Sequence, residues 1–489
     1  MQIININNSY HYETENLLRV FFPEEKFRCA DEAQEGEDYC TVETDGCKGR
    51  VELSLSGEIL SAQEEFSFEL KEKGESDESF LERKCAILLF SLLCSYTSYT
   101  PPWGILTGVR PAKLMTKLIA SMGEERAKEY FINELKVSEE KTNLAMMVAE
   151  NEAPLMEINT EKSFSLYISI PFCPSRCSYC SFISHSNESA KKLMPSYVEK
   201  LCQEIKVTGG IAKELGLTLE SIYMGGGTPT ALTAELLKQV TDTISESFPV
   251  ASVREYTIEA GRPDSVTEEK LEVIKNCGAT RISINPQTFS DDVLRAIGRN
   301  HTSQMTVDAF LKAREKGFDN INMDLIAGLP TDTMENYEET LRKALSYSPE
   351  NITVHTLALK RSSTIVTEKR DTNSGETASK MLSLTQSELL AAGYIPYYMY
   401  RQSKCLGNLE NVGWAKKGYE GLYNVYMMEE IHSVFAVGAG AVTKLKAPHD
   451  SSIERVFNYK YPYEYIGSFD EIIKRKEQIR EFYSRHSEG

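Results

Sequence analysis

Residues 167–182 read YISIPFCPSRCSYCSF, an apolar run that breaks at a proline and opens into three cysteines spaced Cys-x3-Cys-x2-Cys. The run predicts a strand, and Pro171 marks its end. Cys173, Cys177 and Cys180 then lie in the loop that follows. Three thiolates this close suit three irons of a [4Fe-4S] cubane, leaving the fourth iron open to chelation by a small molecule. The competing readings are a structural zinc site, which asks for a fourth Cys or His, and three ordinary buried thiols.

From residue 160 onward the strand signal repeats. The short apolar runs SLYISI (165–170), SIYMGG (221–226), EYTIEA (255–260), RISIN (281–285), INMDLIAG (321–328) and NITVHTL (351–357) alternate with amphipathic stretches of helix length such as SYVEKLCQEIKVTGGIAKEL. Strand and crossover-helix units of this kind build a parallel sheet. Six of them suit a partly closed (β/α)6 barrel, and a doubly wound open sheet has the same periodicity. Residues 1–155 lack the alternation. A strand-like start, the alternating FSFELKE and helices around 77–98 and 125–152 predict a separate α+β domain there. The expected organisation is therefore α/β: an α+β domain at 1–155, a barrel at 160–400 and a substrate-covering region at 401–489. The loop TPPWGILTGVRPAKL (100–114) carries Trp103, Arg110 and Lys113. It reads equally as a connector anchored by a buried Trp or as a functional loop.

With 489 residues the chain exceeds what one core supports. Its longest apolar stretch, Cys85 to Cys94, is too short to cross a bilayer. MQIININNSYHYETE has neither the basic nor the apolar region of a secretory signal, so the cytoplasm is the expected compartment. A formal charge of −18 disfavours nucleic acid, whose binding relies on clustered Lys and Arg. A local basic pocket for a small anion remains compatible with it. Eleven scattered cysteines point to reduced thiols instead of a disulfide framework. Cys29, Cys40 and Cys47 are too loosely spaced for a second cluster and read as small hydrophobes.

After the second strand comes Gly225-Gly226-Gly227-Thr228-Pro229. Residues without side chains let a ligand approach the backbone and its N–H groups. At the end of the strand after the cysteine loop, this segment resembles the GGGTP segment that contacts the amino group of S-adenosylmethionine (SAM) in radical SAM enzymes. Glu259, Gln287, Arg299 and Asp324 fall at or beyond later strand ends, on the rim where α/β barrels bind ligands.

The chain as a whole resembles the oxygen-independent coproporphyrinogen III dehydrogenase family, most closely its HemZ-type branch. The resemblance runs in order through YISIPFCPSRCSYCSF, GGGTPT, EAGRPDSVT, RISINPQTF, NINMDLIAGLP, VHTLALKR, YYMYRQ and GNLENVG, and includes the earlier WGILTGVRPAKL. It implies a [4Fe-4S] cluster, one or two molecules of SAM, a tetrapyrrole substrate and an electron donor such as a flavodoxin or ferredoxin. In the dehydrogenases, reductive cleavage of SAM gives a 5′-deoxyadenosyl radical that takes hydrogen from a propionate side chain. Loss of CO2 and one electron then leaves a vinyl group. Carried over by motif, the metal ligands are Cys173, Cys177 and Cys180. The SAM contacts are Tyr167, Tyr179, Gly226, Gly227, Thr228, Glu259, Gln287, Arg299, Asp324 and Ala358. The resemblance assigns no further catalytic residue.

Two positions depart from the dehydrogenase pattern: Phe182 replaces a fourth cysteine and Ser169 a histidine. Phe182 resembles the heme chaperones of the same family, which bind heme and lack the dehydrogenase reaction. Three functions stay open: decarboxylating oxidoreductase, heme chaperone, and radical SAM enzyme that methylates or opens a tetrapyrrole. A substrate with four carboxylates asks for cations, and Arg262, Lys360, Arg361, Arg401 and Lys404 are the candidates. Tyr397, Tyr398 and Tyr400 are candidates for packing on the ring, and His355 and His432 for ligating a heme iron.

Overall fold

The fold is described from a computed structural model, over residues 1–34, 36–72, 74–181, 185–186, 192–450 and 452–486. It consists of two compact units, Met1–Ala149 with Tyr400–Leu409, and Glu150–Met399 with Glu410–Gly489.

The first unit carries a sheet in the order β2-β1-β3-β4-β5, made of β1 (Gln2–Ile6), β2 (Arg28–Cys29), β3 (Tyr39–Asp45), β4 (Lys48–Leu55) and β5 (Glu58–Glu65). Burial alternates along β3 and β4, so Cys40, Val42, Val51, Leu53 and Leu55 share the covered face. The first four of them pack with Leu17 and Leu18 of helix His11–Phe21 and with Phe80, Leu89 and Leu93 of helix Asp77–Thr97. The apolar stretch Cys85 to Cys94 lies inside that second helix. Cys40 is a core residue, and burial pushes its thiol up to about 12, as for a small hydrophobe; Cys29 is exposed and Cys47 half-buried. FSFELKE is not a strand. Ser67 Oγ accepts from the Glu69 amide and starts a single helical turn, Phe68–Leu70. The loop at 100–110 is anchored by Trp103, which is fully buried, and Pro111 opens helix Pro111–Met122 from its first position.

The second unit is built on one sheet in the order β14-β15-β13-β12-β11-β10-β9-β6-β16-β17-β18. At its centre are β6 (Ser163–Ile170), β9 (Thr218–Gly226), β10 (Glu255–Glu259), β11 (Arg281–Ser283), β12 (Ile321–Ala327) and β13 (Asn351–Thr356). These are the six predicted strands, all parallel and adjacent in chain order. β6 is almost wholly buried, as a strand covered on both faces must be. The crossover helices have a legible start. Thr233, Thr267, Thr302 and Thr333 each accept from the amide three residues on, at 3.2–3.4 Å.

The carboxyl-terminal region differs from the expectation of a separate cover. β15 (Glu410–Ala415) pairs antiparallel with β13, and β16 (Ser433–Val437) pairs parallel with β6. β14 (Ile395–Arg401), β17 (Val442–Lys446) and β18 (Ile453–Phe457) complete the edges. The physical reason is the apolar run SVFAV, which buries as a strand beside β6. Helix Phe469–His486 is fastened by Lys476, whose ammonium lies 2.7 Å from fully buried Glu204. Tyr465, Asn458 and the Gly438 amide also donate to that carboxylate, so the buried pair is hydrogen-bonded throughout. Among the described residues, no helix is long and apolar enough to cross a membrane.

Candidate functional site

The cysteine loop leaves β6 at Pro171, and the two-residue strand β7 (Phe172–Cys173) pairs with β8 (His185–Ser186). Three separate segments of the second unit hold it. From the turn after β10, Arg262 donates to Ser175 Oγ at 3.0 Å, to the Ser175 carbonyl at 3.2 Å and to Cys177 Sγ at 3.6 Å. From the end of helix Asp291–Ala296, the Ile297 carbonyl accepts from the Ser178 amide at 2.9 Å. From the segment after β13, the Ile365 amide and Thr364 hydroxyl both donate to the Ser178 carbonyl, and Arg176 donates to the Ser362 carbonyl. Cys177 is buried, which works against its thiolate, yet Arg299 and Arg262 outweigh burial and hold its pKa below the ordinary thiol value. Three thiol donors on one loop, with Cys177 held below its ordinary pKa by two arginines, fit a cluster with one open iron, whereas a structural zinc site would want a fourth Cys or His. Phe182 lies outside the described residues.

The glycine segment packs directly on this loop. The Gly227 amide donates to the Ile170 carbonyl at 2.8 Å, the Thr228 amide to the Phe172 carbonyl at 2.7 Å, and the Thr228 hydroxyl to Cys173 Sγ at 3.6 Å. A Cβ on Gly227 would stand 2.6 Å from the Phe172 carbonyl and 3.0 Å from Cys173 Sγ. Gly226 has φ +103°, a conformation that L side chains rarely adopt. At these two positions the glycines make room first for the chain itself. Gly227→Ala is expected to destabilise the apoprotein by about 1–3 kcal/mol, read from its urea unfolding curve, and to impair cluster assembly. Unchanged values for both would place that contact elsewhere.

Ser169 is buried and donates to the Ala439 carbonyl at 2.8 Å, on the turn after β16. The hydroxyl standing in place of the family's histidine thus fastens β6 to this turn.

Along the barrel interior, Tyr167 and Tyr223 are register partners on β6 and β9 and stack at 6.3 Å; Tyr423 lies 4.5 Å from Tyr223. The Tyr223 hydroxyl donates to Glu259, the last residue of β10. Burial raises the Glu259 carboxyl to about 7; Asp324 adds to the rise, while the Tyr223 hydroxyl and Arg281 oppose it. Asp324 accepts from Asn322 Nδ2 at 2.7 Å, and His355 Nε2 lies 3.9 Å from its other oxygen. Gln287 has φ +66°, and its amide donates to the Asp324 carbonyl at 2.9 Å. Its buried Oε1 has no hydrogen-bond partner in the protein, nor does Nε of buried Arg299. Strained backbone and orphaned buried polar atoms together mark a place prepared for a polar ligand. Arg299 also reaches Cys177 and Tyr179 and donates to the Asn285 carbonyl at 2.6 Å. Ala358 follows β13 and is half-buried. Tyr223 and Tyr423 belong to no motif; only the register of β6 on β9 pointed to Tyr223.

The structure separates the five candidate cations. All the N–H groups of Arg262 are committed, to Asp264 at 3.0 Å twice and to the cysteine loop, which leaves no donor for a substrate carboxylate. Arg401 belongs to the first unit and is 2% exposed. It donates to the carbonyls of Leu106, Gly108 and Asn408 and lies over the Trp103 ring. Arg262 is therefore corrected from a substrate ligand to a clamp on the cysteine loop, while Arg401 Nε and Nη1 are committed to backbone carbonyls of the first unit. Lys404 is exposed on the first unit. Lys360 is half-buried and Arg361 exposed, beside Ser362, which is hydrogen-bonded to Arg176 and Ser181 of the cysteine loop. Tyr397 and Tyr398 are buried core, and Tyr400 is half-buried in the first unit. His432 has one ring nitrogen on Ser165 Oγ and the other on Asn159 Oδ1, both at 2.8 Å, and burial holds its pKa near about 3, leaving no free nitrogen for heme iron.

A thiolate loop after the first strand of a parallel barrel, backed by a glycine turn, is the architecture of radical SAM proteins. Residues 167–344 match the family model described as Radical SAM superfamily. The structure superposes on that of coproporphyrinogen III oxidase (HemN) from Escherichia coli with a TM-score of 0.52, at 22% identity over 67% of this chain and 72% of that one. The chain is 38% identical to the oxygen-independent coproporphyrinogen-III oxidase-like protein HemZ of Bacillus subtilis (strain 168), over 85% of both chains. It is 33% identical to the heme chaperone HemW of the same organism, over 61% of this chain and 77% of the relative. The chain belongs to the HemZ-like family of radical SAM proteins, whose cofactors are a [4Fe-4S] cluster and SAM.

Proposed function

We propose that this chain is an oxidoreductase that converts coproporphyrinogen III to protoporphyrinogen IX by oxidative decarboxylation of two propionates. The observation that carries this reading is the similarity to the HemZ protein, which spans 85% of both chains, against 61% of this chain for the HemW relative. Cys173, Cys177 and Cys180 hold the cluster. Glu259 accepts from a ribose hydroxyl of SAM, the backbone of Gly226, Gly227 and Thr228 lies along its methionine end, and Tyr167, Tyr179, Asp324 and Ala358 line the rest. Gln287 and Arg299 turn their unpartnered atoms to SAM or a second copy of it. Bound SAM supplies the hydrogen-abstracting chemistry of the superfamily when an electron reaches it. Lys360 and Arg361, on the segment tied to the cysteine loop, hold propionates near that point. A flavodoxin or ferredoxin in the cytoplasm is the proposed donor.

The HemW relative supports a second reading, heme binding without turnover. One anaerobic assay separates the two. Protein with reconstituted cluster is given reductant, SAM and coproporphyrinogen III, and products are analysed by mass spectrometry. Two successive losses of CO2 with vinyl formation are expected. Heme retained through purification with no vinyl product would establish the chaperone, and a SAM methyl group in the product would establish a methylating enzyme.

A further inference from the structure

We infer that Arg262, oriented by Asp264, is a positioning residue that sets the reduction potential of the cluster through Cys177. The inference rests on the assignment of Cys173, Cys177 and Cys180 as its ligands.

Arg262 is 3% exposed, at the turn after β10. Its guanidinium is a planar fork. One edge, Nε and Nη2, is closed by both oxygens of Asp264 at 3.0 Å each. The remaining N–H groups converge on the cysteine loop, on the hydroxyl and carbonyl of Ser175 and on Cys177 Sγ at 3.6 Å. Such a bidentate pair fixes the plane of the guanidinium and so aims the third edge. Two consequences follow from the chemistry of the bond. An N–H directed at a ligating sulfur stabilises negative charge there, so it favours the state with one more electron and raises the potential. The Asp264 carboxylate offsets the long-range field of the cation, so in the wild type the directional hydrogen bond outweighs bulk positive charge. That carboxylate is half-buried beside the buried guanidinium, so solvent screens it only in part. A side chain that merely braced the loop would not care about the sign of its own charge or that of its partner.

The two side chains therefore have opposite signatures. Arg262→Met removes the donor and leaves a carboxylate beside the cluster, which makes the one-electron potential more negative. Asp264→Asn keeps the cation and, through its amide oxygen, one of the two acceptors that orient it, and removes the full counter-charge, which makes the potential less negative. A tenfold change in the reduction equilibrium, about 59 mV for one electron, is the expected order in each case. The full-length protein is reconstituted anaerobically and titrated with a low-potential chemical reductant, following the reduced cluster by electron paramagnetic resonance and counting iron per chain. No tetrapyrrole is needed, so the result does not depend on which substrate the protein serves. Opposite shifts with iron retained support the inference; equal potentials, or shifts of one sign, overturn it. If Arg262→Met does not assemble a cluster, Asp264→Asn decides alone by moving the potential upward or failing to. Should the three cysteine variants keep their iron, the ligand assignment itself has failed, which is a different outcome from unmoved potentials.

Discussion

Cys177→Ala, reconstituted anaerobically with iron and sulfide, is expected to lose most of the about four irons per chain that a cubane requires. Cys173→Ala and Cys180→Ala should do the same, and the brown absorbance of the wild type should go with the metal. With three protein ligands and one open corner, such a cluster has none to spare. The loop around Cys177 is held by Arg262, Ile297 and Thr364 through contacts within the protein, so the variant's fold should persist while its iron does not. That separation is measurable as a near-normal urea transition beside a near-zero iron count. Cys29→Ala, at an exposed position of the first unit, is the internal control and should keep its iron. Iron unchanged in all three loop variants would sink the assignment and, with it, the reading of Arg262.

Glu259→Gln is expected to weaken SAM binding roughly tenfold or more, the value of a hydrogen bond to a charged acceptor, while it removes a pH-dependent loss of stability. Burial raises this carboxyl from its ordinary 4.5 to about 7. The folded chain thus holds the proton more tightly than the unfolded chain does. The group's contribution to stability is fully present below pH 4.5 and is lost as pH rises through about 7. The loss amounts to roughly 3 kcal/mol at most by the size of that rise. Glutamine has no titration, so unfolding free energies of the apoprotein at pH 5 and pH 8 should differ less in the variant than in the wild type. SAM affinity of the wild type should improve through pH 7, as the acceptor ionises, and that of the variant should stay flat. Parallel pH profiles in the two proteins would remove Glu259 from the ribose contact.

Much of this site was legible in the linear chain because its parts are local. Cys173, Cys177 and Cys180 lie within one loop, and Gly225 to Pro229 within one turn, so their spacing and order are visible without the fold. The six barrel strands were legible for a related reason. Each is a short buried run followed by an amphipathic helix, with a threonine cap opening four of those helices. Motif order also placed Glu259 and Asp324 on strands of one sheet, β10 and β12, but it said nothing of how they are coupled. The Tyr223 hydroxyl on Glu259 depends on β9 lying beside β10 in one particular register.

The cations show the limit most clearly. On paper Arg262 and Arg401 are the same residue, a guanidinium near a motif. In the structure Arg262 closes on Asp264 and the cysteine loop, and Arg401 closes on the carbonyls of Leu106, Gly108 and Asn408. Asp264 is a neighbour in sequence, but the cysteine loop lies 85–87 residues from Arg262 and Leu106 lies 295 residues from Arg401, so neither fate can be read from the linear chain. The same holds for β16, an apolar run whose place beside β6 is decided by which strand edge is open when the barrel forms. Residue types, spacing and period specify the cluster loop, the glycine turn and the six strands, since those depend on neighbours within a turn or two. Which charges face a ligand, and which are spent on holding the loop, follows only from the tertiary structure, which decides the partners that reach each buried donor.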